Sequence, residues 1–261
     1  GIVALAPTLV FGAMVAAGRF QDERADREAV ALGAARELNA HVDAELNGAL
    51  SALSVLATST AISEEDWPRA RARVQGVLRD QPLWRDVFLT DAISHREVWS
   101  IQGEGRAPRV REHVLAFIEG NQLDRRIGNV GGRAPGCPCV VLHQPIVRND
   151  QLRYVLSAEV SVDNIQAALN RAVQEPNVGG IVDRRGNFVA RTISPQEMLG
   201  RPASTYLPDA IHRGSSGVYE GTTLEGLRNR TAFETSTFSG FSSHVAVPRS
   251  GLSILGAGSL G

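Results

Sequence analysis

The chain has 261 residues, of which 43% are hydrophobic and 21% are charged, and its formal net charge is -1 at pH 7. This composition is that of a globular protein and excludes a disordered or fibrous chain. A net charge near zero argues against a nucleic-acid-binding surface. All the basic side chains are arginines, which excludes Schiff-base chemistry and the lysine of a phosphate-binding loop.

The chain opens with an apolar stretch that has no charged side chain. Residues 1–18 are uncharged, and a charge-rich helical pattern begins at Arg19. A bilayer-spanning helix needs roughly 17 to 25 residues, so the stretch predicts a transmembrane span of minimal length that can begin further upstream. A cleavable signal peptide is the alternative, because small residues such as Ala16 and Gly18 fit a cleavage site.

The opposite end has a similar pattern. Residues 250–261 are uncharged and largely apolar, and we expect them to begin a second transmembrane span. A flexible apolar tail would have the same composition. If both spans exist, residues 19–249 form a loop between them on one side of the membrane.

Residues 19–62 are predicted to form one long amphipathic stalk helix. Its apolar side chains recur at three- and four-residue steps between charged ones. They are Leu32, Ala35, Val42, Leu46, Ala49, Leu53 and Leu56. This stripe can pack on the following domain, on the same helix of a second copy, or on both. Ser63 is predicted to cap the next helix, because acidic residues fill the first turn that follows it.

The next part of the chain predicts a small α+β module. Alternating and β-branched residues indicate strands at 84–91, 96–101, 139–147 and 152–160. A helix is expected at 109–119, and the turn 148–151 joins the last two strands as a hairpin. Strands paired in this way form an antiparallel sheet.

A helix over 162–173 is predicted to connect this module to a shorter second copy. In the second copy, strands are expected at 180–183, 188–191, 228–235 and 243–247, with a helical segment through Leu199 and Ala210. Both halves contain a strand, a turn and a strand, then a helix and further strands. The order of elements therefore indicates an internal repeat.

Five residues of the first module are candidates for a small-molecule site. Trp84 and Trp99 flank the first hairpin, and Asp91 lies at its turn. His143 and Tyr154 lie on the later strands. On the concave side of the sheet they would supply aromatic walls and a few polar groups. The alternative is that the tryptophans fill the core and that Asp91 only shapes a turn.

Three arginines and two cysteines complete the candidates. Arg126, with Arg125 and Arg133, could clamp a carboxylate or a phosphate, although solvated loop arginines are the alternative. Cys137 and Cys139 could be bridged, free or metal-bound. Together with His143 they make a weak candidate set for a thiophilic metal, which would still need a fourth ligand. A loop that happens to carry two thiols is the alternative.

Nothing in the sequence predicts catalysis or a cofactor. The six histidines have no His-x-x-x-His or His-Glu-x-x-His spacing. A Gly-x-Ser-x-Gly nucleophile motif is also absent from the sequence. No catalytic residue is therefore assigned within the 261 residues.

The order and spacing of these segments resemble the double Cache sensor domains. Such domains lie between two membrane spans in bacterial histidine kinases, chemoreceptors and diguanylate cyclases. The resemblance rests on the stalk helix and on segments 84–91, 153–156, 181–191, 214–217 and 238–248.

The resemblance implies an α+β fold with a long N-terminal stalk helix and two tandem PAS-like (Cache) lobes built on antiparallel sheets. It implies a membrane-distal lobe at 63–160, a connecting helix at 161–174 and a membrane-proximal lobe at 175–249. Ligands in this family usually occupy the distal lobe. The Arg-x-Trp-Tyr pattern of the amino-acid-binding members is missing, which leaves the ligand class open.

The function implied by the resemblance is that of an extracytoplasmic ligand-sensing input module, most similar to that of a sensor histidine kinase. The protein would be anchored in a bacterial inner membrane, with residues 19–249 extracytoplasmic. It would form a homodimer through the stalk helix and bind a small molecule. The alternatives are the input module of a diguanylate cyclase or chemoreceptor, and a membrane-anchored binding or scaffold protein without signalling output.

Overall fold

A computed structural model of the protein describes residues 5–103, 112–120, 126–131 and 139–248, with side chains from residue 22 onward. Its helices are α1 (Leu5–Ala57), α2 (Thr60–Ser63), α3 (Trp67–Asp80), α4 (Glu112–Glu119), α5 (Asp163–Ala172), α6 (Pro195–Met198) and α7 (Tyr206–Arg213). Its strands are β1 (Trp84–Asp91), β2 (Glu97–Ser100), β3 (Ile127–Val130), β4 (Cys139–Arg148), β5 (Gln151–Ser161), β6 (Val178–Val182), β7 (Phe188–Arg191), β8 (Ser216–Thr222), β9 (Arg228–Thr235) and β10 (Ser242–Pro248). The predicted α+β class is confirmed.

Helix α1 is continuous over 53 residues and confirms the predicted stalk helix, but it ends at Ala57 and not at Ile62. Just after this end, the hydroxyl of Thr58 donates to the carbonyl oxygens of Ser54 at 3.3 Å and Val55 at 3.1 Å. Hydroxyl groups that bind these carbonyls compete with the backbone hydrogen bonds of the next turn.

The predicted cap at Ser63 is wrong. Ser63 is the last residue of α2, and its hydroxyl donates to the Thr60 carbonyl at 3.0 Å. The next helix starts at Trp67, where the Asp66 carboxylate accepts from the Arg69 backbone N–H at 3.2 Å. Asp66 is the better cap because a proline follows in the first turn of α3, where its missing N–H costs nothing.

Neither predicted membrane span is confirmed. Within the part of the chain that the structure describes, no helix combines the length and the apolar character that crossing a bilayer requires. Residues 1–4 of the first predicted span, and the whole of the second span at 250–261, lie outside the described residues.

Within the described ranges, ten strands form two five-stranded antiparallel sheets with the same topology. The strand order is β2-β1-β5-β4-β3 in the first sheet and β7-β6-β10-β9-β8 in the second. Counted from the first strand of each sheet, both orders read 2-1-5-4-3. The internal repeat that the order of elements indicated is therefore present at the level of the fold.

The edge strands β3 and β8 are not predicted from the sequence. Their sequences are Ile-Gly-Asn-Val and Ser-Gly-Val-Tyr-Glu-Gly-Thr, in which glycine and polar residues weaken the strand signal. They are extended because β4 and β9 supply hydrogen-bonding partners. The β4–β5 hairpin is confirmed, and Asn149 and Asp150 in its turn both have positive φ, which suits the twist of a two-residue hairpin.

One hydrophobic core joins α1 to one face of each sheet. We call this the inner face; it includes Leu89 and Leu156 of the first sheet and Val189 and Val245 of the second. The opposite, outer faces have separate small cores. The outer face of the first sheet packs on α4, and that of the second packs on α7.

Candidate functional site

The predicted site residues lie on both faces of the first sheet. Trp84, Trp99 and Tyr154 belong to the inner core shared with α1. His143 faces the other way, since its ring stacks on Phe117 of α4 at a centroid distance of 4.8 Å. The structure therefore does not bring the predicted residues together around one concave surface.

The two predicted tryptophans are both buried. Trp84 is 5% exposed and Trp99 is 7% exposed. The Trp99 Nε1–H has no hydrogen-bond partner within the described part of the chain. This position corresponds to the core-filling alternative, and a role of either tryptophan in ligand binding remains a prediction.

Asp91 has the geometry of a turn-forming residue. Its Oδ1 accepts from the backbone N–H groups of Ile93 at 2.9 Å and Ser94 at 2.8 Å, and its Oδ2 accepts from Arg153 at 2.6 Å. Burial raises the pKa of Asp91, but the hydrogen bonds from Ser94, Arg153 and Ile93 outweigh burial and leave the pKa below its usual value. The ionised carboxylate thus holds the β1–β2 turn.

Tyr154 lies next to Asp91 across the β1–β5 ladder. Its hydroxyl donates to Glu65 Oε1 at 2.9 Å, and the guanidinium of Arg153 lies 4.4 Å from the centre of its ring. The rings of Trp67 and Tyr154 form a T-shaped pair with a centroid distance of 5.3 Å. Tyr154 therefore ties the first sheet to the segment that connects α2 and α3.

His143 is the predicted residue that lies on the outer face. It is 2% exposed, and its Nδ1 is 2.9 Å from the Ser157 hydroxyl. The ring of His113 lies 5.9 Å away. Burial, with a smaller effect from His113, lowers the pKa of His143 to about 3. The imidazole is therefore neutral at physiological pH.

Other buried polar residues lie on this outer face, and they are not among the candidates predicted from the sequence. Asp86 is 3% exposed and Ser100 is 4% exposed. The Asp86 carboxylate accepts from the Ser100 hydroxyl at 2.8 Å and from the Gln102 backbone N–H at 3.1 Å. A carboxylate within an apolar strand was the available signal. The register shift between Trp84 and Asp86 hid it, because strict alternation does not predict the face across a bulge.

We call Asp86, Ser100, His143 and Ser157 the outer polar cluster. The apolar side chains around it include Phe88 and those of α4. A few fixed polar groups on an apolar surface are the usual components of a small-molecule site. In this structure the four side chains are at most 4% exposed and form two hydrogen-bonded pairs, Asp86 with Ser100 and His143 with Ser157.

The other predicted site residues are partly described. Arg126 donates to the Gln144 side-chain oxygen at 3.0 Å and is half-buried at the edge of the first sheet. Arg125, Arg133 and Cys137 lie outside the described residues. Cys139 is disulfide-bonded, so of the three states left open for the thiols the bridged one is present. Its sulfur is then not a free thiolate for a metal. Across the described ranges, no group of three His, Cys, Asp or Glu side chains could hold a metal ion.

Comparisons with known proteins identify the fold. No protein-family model matches the chain, and no curated protein matches its sequence. Among solved structures, the extracellular domain of the putative histidine kinase mmHK1S-Z3 is similar, with a TM-score of 0.64 and 15% identity; the match covers 86% of this chain and 94% of that one.

Two further solved domains are also similar. The ligand-binding domain of Mlp24, solved with asparagine, has a TM-score of 0.61 and 17% identity over 86% of this chain and 95% of that one. The periplasmic sensory domain of the Campylobacter jejuni chemoreceptor Tlp1 has a TM-score of 0.59 and 12% identity, and the match covers 87% of this chain and 96% of that one. The expected fold is thereby confirmed: this chain has the fold of extracytoplasmic sensor domains.

Proposed function

We propose that the chain is the extracytoplasmic ligand-sensing input module of a transmembrane signalling receptor, of the kind found in sensor histidine kinases. The observation that carries the proposal is the attachment of two sheets of identical topology to one 53-residue helix. The outer polar cluster supports a ligand site on the first sheet. The similar solved domains include those of a putative histidine kinase and of a chemoreceptor, and another ligand-binding domain of this fold was solved with asparagine.

The first sheet, within residues 63–160, is proposed as the membrane-distal lobe and the second, within residues 175–249, as the proximal lobe. The chain would be anchored by spans at 1–18 and 250–261 in a bacterial inner membrane. A homodimer through α1 is proposed as well. The exposed side chains of Val30 and Val55, at 74% and 65%, offer apolar contacts on the part of α1 that the sheets leave open.

Signalling would follow because the ligand binds two conformations of the domain with different affinities. A small molecule bound at the outer polar cluster would favour one arrangement of the first sheet and α4. Because the inner face of that sheet packs on α1, the change would displace or rotate α1 toward the membrane. A cyclase or chemoreceptor input module would work in the same way, and the cytoplasmic domain of the full-length protein distinguishes these outputs.

The test is a thermal-shift screen of residues 19–249 against organic acids, amino acids, nucleobases and amines. A ligand at 100 times its dissociation constant adds about 2.7 kcal/mol to the free energy of unfolding. Asp86→Asn should abolish the shift because it changes the buried carboxylate of the cluster. Asp150→Asn, at the exposed hairpin turn of the same lobe, should retain it.

Two outcomes would contradict this proposal. If no compound raises the melting temperature, the sensing function loses its support, and a protein partner or a structural role becomes the better account. If a compound acts equally on the wild type and on Asp86→Asn, the ligand lies elsewhere and the outer polar cluster is not the site.

A further inference from the structure

The outer face of the second sheet contains a cavity of about 70 Å³. Its apolar wall includes Val182, Phe188 and Leu207, so it lies between the sheet and α7. Gly180 also lines it, and a Cβ at that position would approach the Phe188 ring to 3.0 Å. A side chain at position 180 would therefore press on the Phe188 ring in the wall of the cavity.

His244 lines this cavity with an unpaired ring nitrogen. The residue is 6% exposed, and its buried Nε2 has no hydrogen-bond partner within the described part of the chain. Phe233 stacks on the ring at 5.7 Å and holds its orientation. Burial lowers the pKa of His244 to about 3, so the ring is neutral and one of its nitrogens is a bare acceptor.

A series of hydrogen bonds determines which ring nitrogen of His244 carries no proton. The Asn229 amide N–H donates to the Leu227 carbonyl at 3.0 Å, which leaves its Oδ1 to accept from the Thr231 hydroxyl at 2.7 Å. The single proton of Thr231 is thus used, so toward Tyr219, which lies directly opposite it in the β8–β9 ladder, the Thr231 oxygen can only accept.

The donors and acceptors of Tyr219 and His244 can be assigned in the same way. If Tyr219 donates its proton to Thr231, the phenol oxygen is free to accept from His244 Nδ1–H, which lies 3.3 Å away. This is the arrangement in which all the bonds of the series are made. The proton of the neutral imidazole is then on Nδ1, and Nε2 offers a lone pair.

The cavity offers no uncompensated charge. Of the described residues that line it, Arg191 is the one charged side chain, and it donates two hydrogen bonds to the Glu225 carboxylate at 2.8 and 2.9 Å. A third bond joins Arg191 to the Ile193 carbonyl at 3.1 Å. An ionic ligand would lose its hydration here without gaining a partner.

We propose that the second lobe holds a second binding site, which takes a small uncharged molecule with an apolar body and one hydrogen-bond donor. The donor would bind Nε2 of His244, and the body would contact Phe188 and Leu207. The volume is about half that of an engineered cavity of roughly 150 Å³ that holds benzene, so the ligand has only a few non-hydrogen atoms. The site goes beyond the proposed function, which places a ligand on the first sheet.

The test compares pyrrole, a five-membered ring with one N–H, with furan, which has the same shape and no donor. Each is titrated into residues 19–249 labelled with ¹⁵N, and the His244 ring nitrogens are followed by NMR. We expect pyrrole to move the Nε2 resonance upfield in a saturable way and furan to bind at least tenfold more weakly. His244→Phe keeps an aromatic ring on Phe233 and should bring the two affinities to within twofold.

A second variant separates this site from the first lobe. Asp86→Asn should leave pyrrole binding unchanged even if it abolishes the response to the first-lobe ligand, so the two proposals can fail independently. Equal binding of pyrrole and furan to the wild-type protein would overturn the proposed donor requirement. An unchanged Nε2 resonance with either probe, together with magnetisation transfer from water to the His244 ring, would overturn the site and show that the cavity holds water only.

Discussion

His143 and His244 are buried on the outer faces of the two sheets, and burial lowers the pKa of each from 6.5 to about 3. An unfolded imidazole binds a proton below about pH 6.5, whereas these folded imidazoles remain neutral until about pH 3. The unfolded state therefore binds more protons in that interval. Their contribution to stability is complete above pH 6.5 and is lost as the pH falls toward 3.

This linkage predicts the effect of replacing one histidine. Between pH 6 and pH 4, His143→Asn should reduce the loss of unfolding free energy by up to about 1.4 kcal/mol per pH unit, since one proton-binding difference disappears. Urea unfolding at pH 7, 6, 5 and 4 measures the slope. Asn47→Ala, at an exposed position of α1 that carries no titratable group, should leave the slope unchanged. A wild-type slope in His143→Asn would mean that the folded imidazole titrates normally.

At the scale of elements, the β6–β7 turn joins the two sheets. Asp183 Oδ1 accepts from the backbone N–H groups of Arg185 at 2.8 Å and Asn187 at 2.9 Å. Its Oδ2 accepts from the backbone N–H of Val130 in β3 of the first sheet at 3.1 Å. The guanidinium of Arg184 donates to the carbonyl oxygens of Ile127 and Ser239. One tight turn of the second sheet thus binds the edge strand of the first.

Removing this carboxylate should destabilise the protein. Asp183→Ala leaves three backbone N–H groups without their acceptor, and each buried unsatisfied group costs about 1 to 3 kcal/mol. Because solvent can reach some of these groups after the substitution, we expect a loss of about 3 kcal/mol in urea unfolding. Asp209→Ala, exposed on α7, should change stability by less than about 0.5 kcal/mol. Equal effects of the two variants would show that the turn does not hold the sheets together.

At the scale of the whole molecule, one core cluster includes α1 and the inner faces of both sheets. A continuous core of this kind favours a single cooperative unfolding transition. The three tryptophans, Trp67, Trp84 and Trp99, all precede β3. Tryptophan fluorescence therefore reports the first lobe alone, whereas circular dichroism reports the whole chain.

A substitution in the second lobe should consequently shift a signal from the first. Val245→Ala, in the core at 2% exposure, should cost about 2 kcal/mol and lower the fluorescence and circular dichroism midpoints by the same amount. Leu224→Ala, at 50% exposure, should move neither appreciably. If Val245→Ala moves only the circular dichroism midpoint, the lobes unfold independently.

Local patterns were sufficient to predict most elements. The three- and four-residue spacing of apolar side chains predicted α1, and alternation predicted β1, β4, β5 and β9 to within about a residue or two. The order of these elements indicated the repeat of two similar halves. These features depend on residues close together in the chain, so the sequence by itself determined them.

The tertiary structure decided which side of each strand can form a site. Alternation separates Leu89 from Phe88 but does not say which of them faces α1, because that depends on where a distant helix packs. The bulge before Asp86 and the pairing of β3 and β8 with β4 and β9 depend in the same way on contacts far along the chain. For this reason Trp84 and Trp99 lie in the inner core, whereas Asp86 and His143 lie on the outer face. The unpaired nitrogen of His244 depends in the same way on distant contacts, because the cavity that this residue lines is formed by the strands of the second sheet and α7.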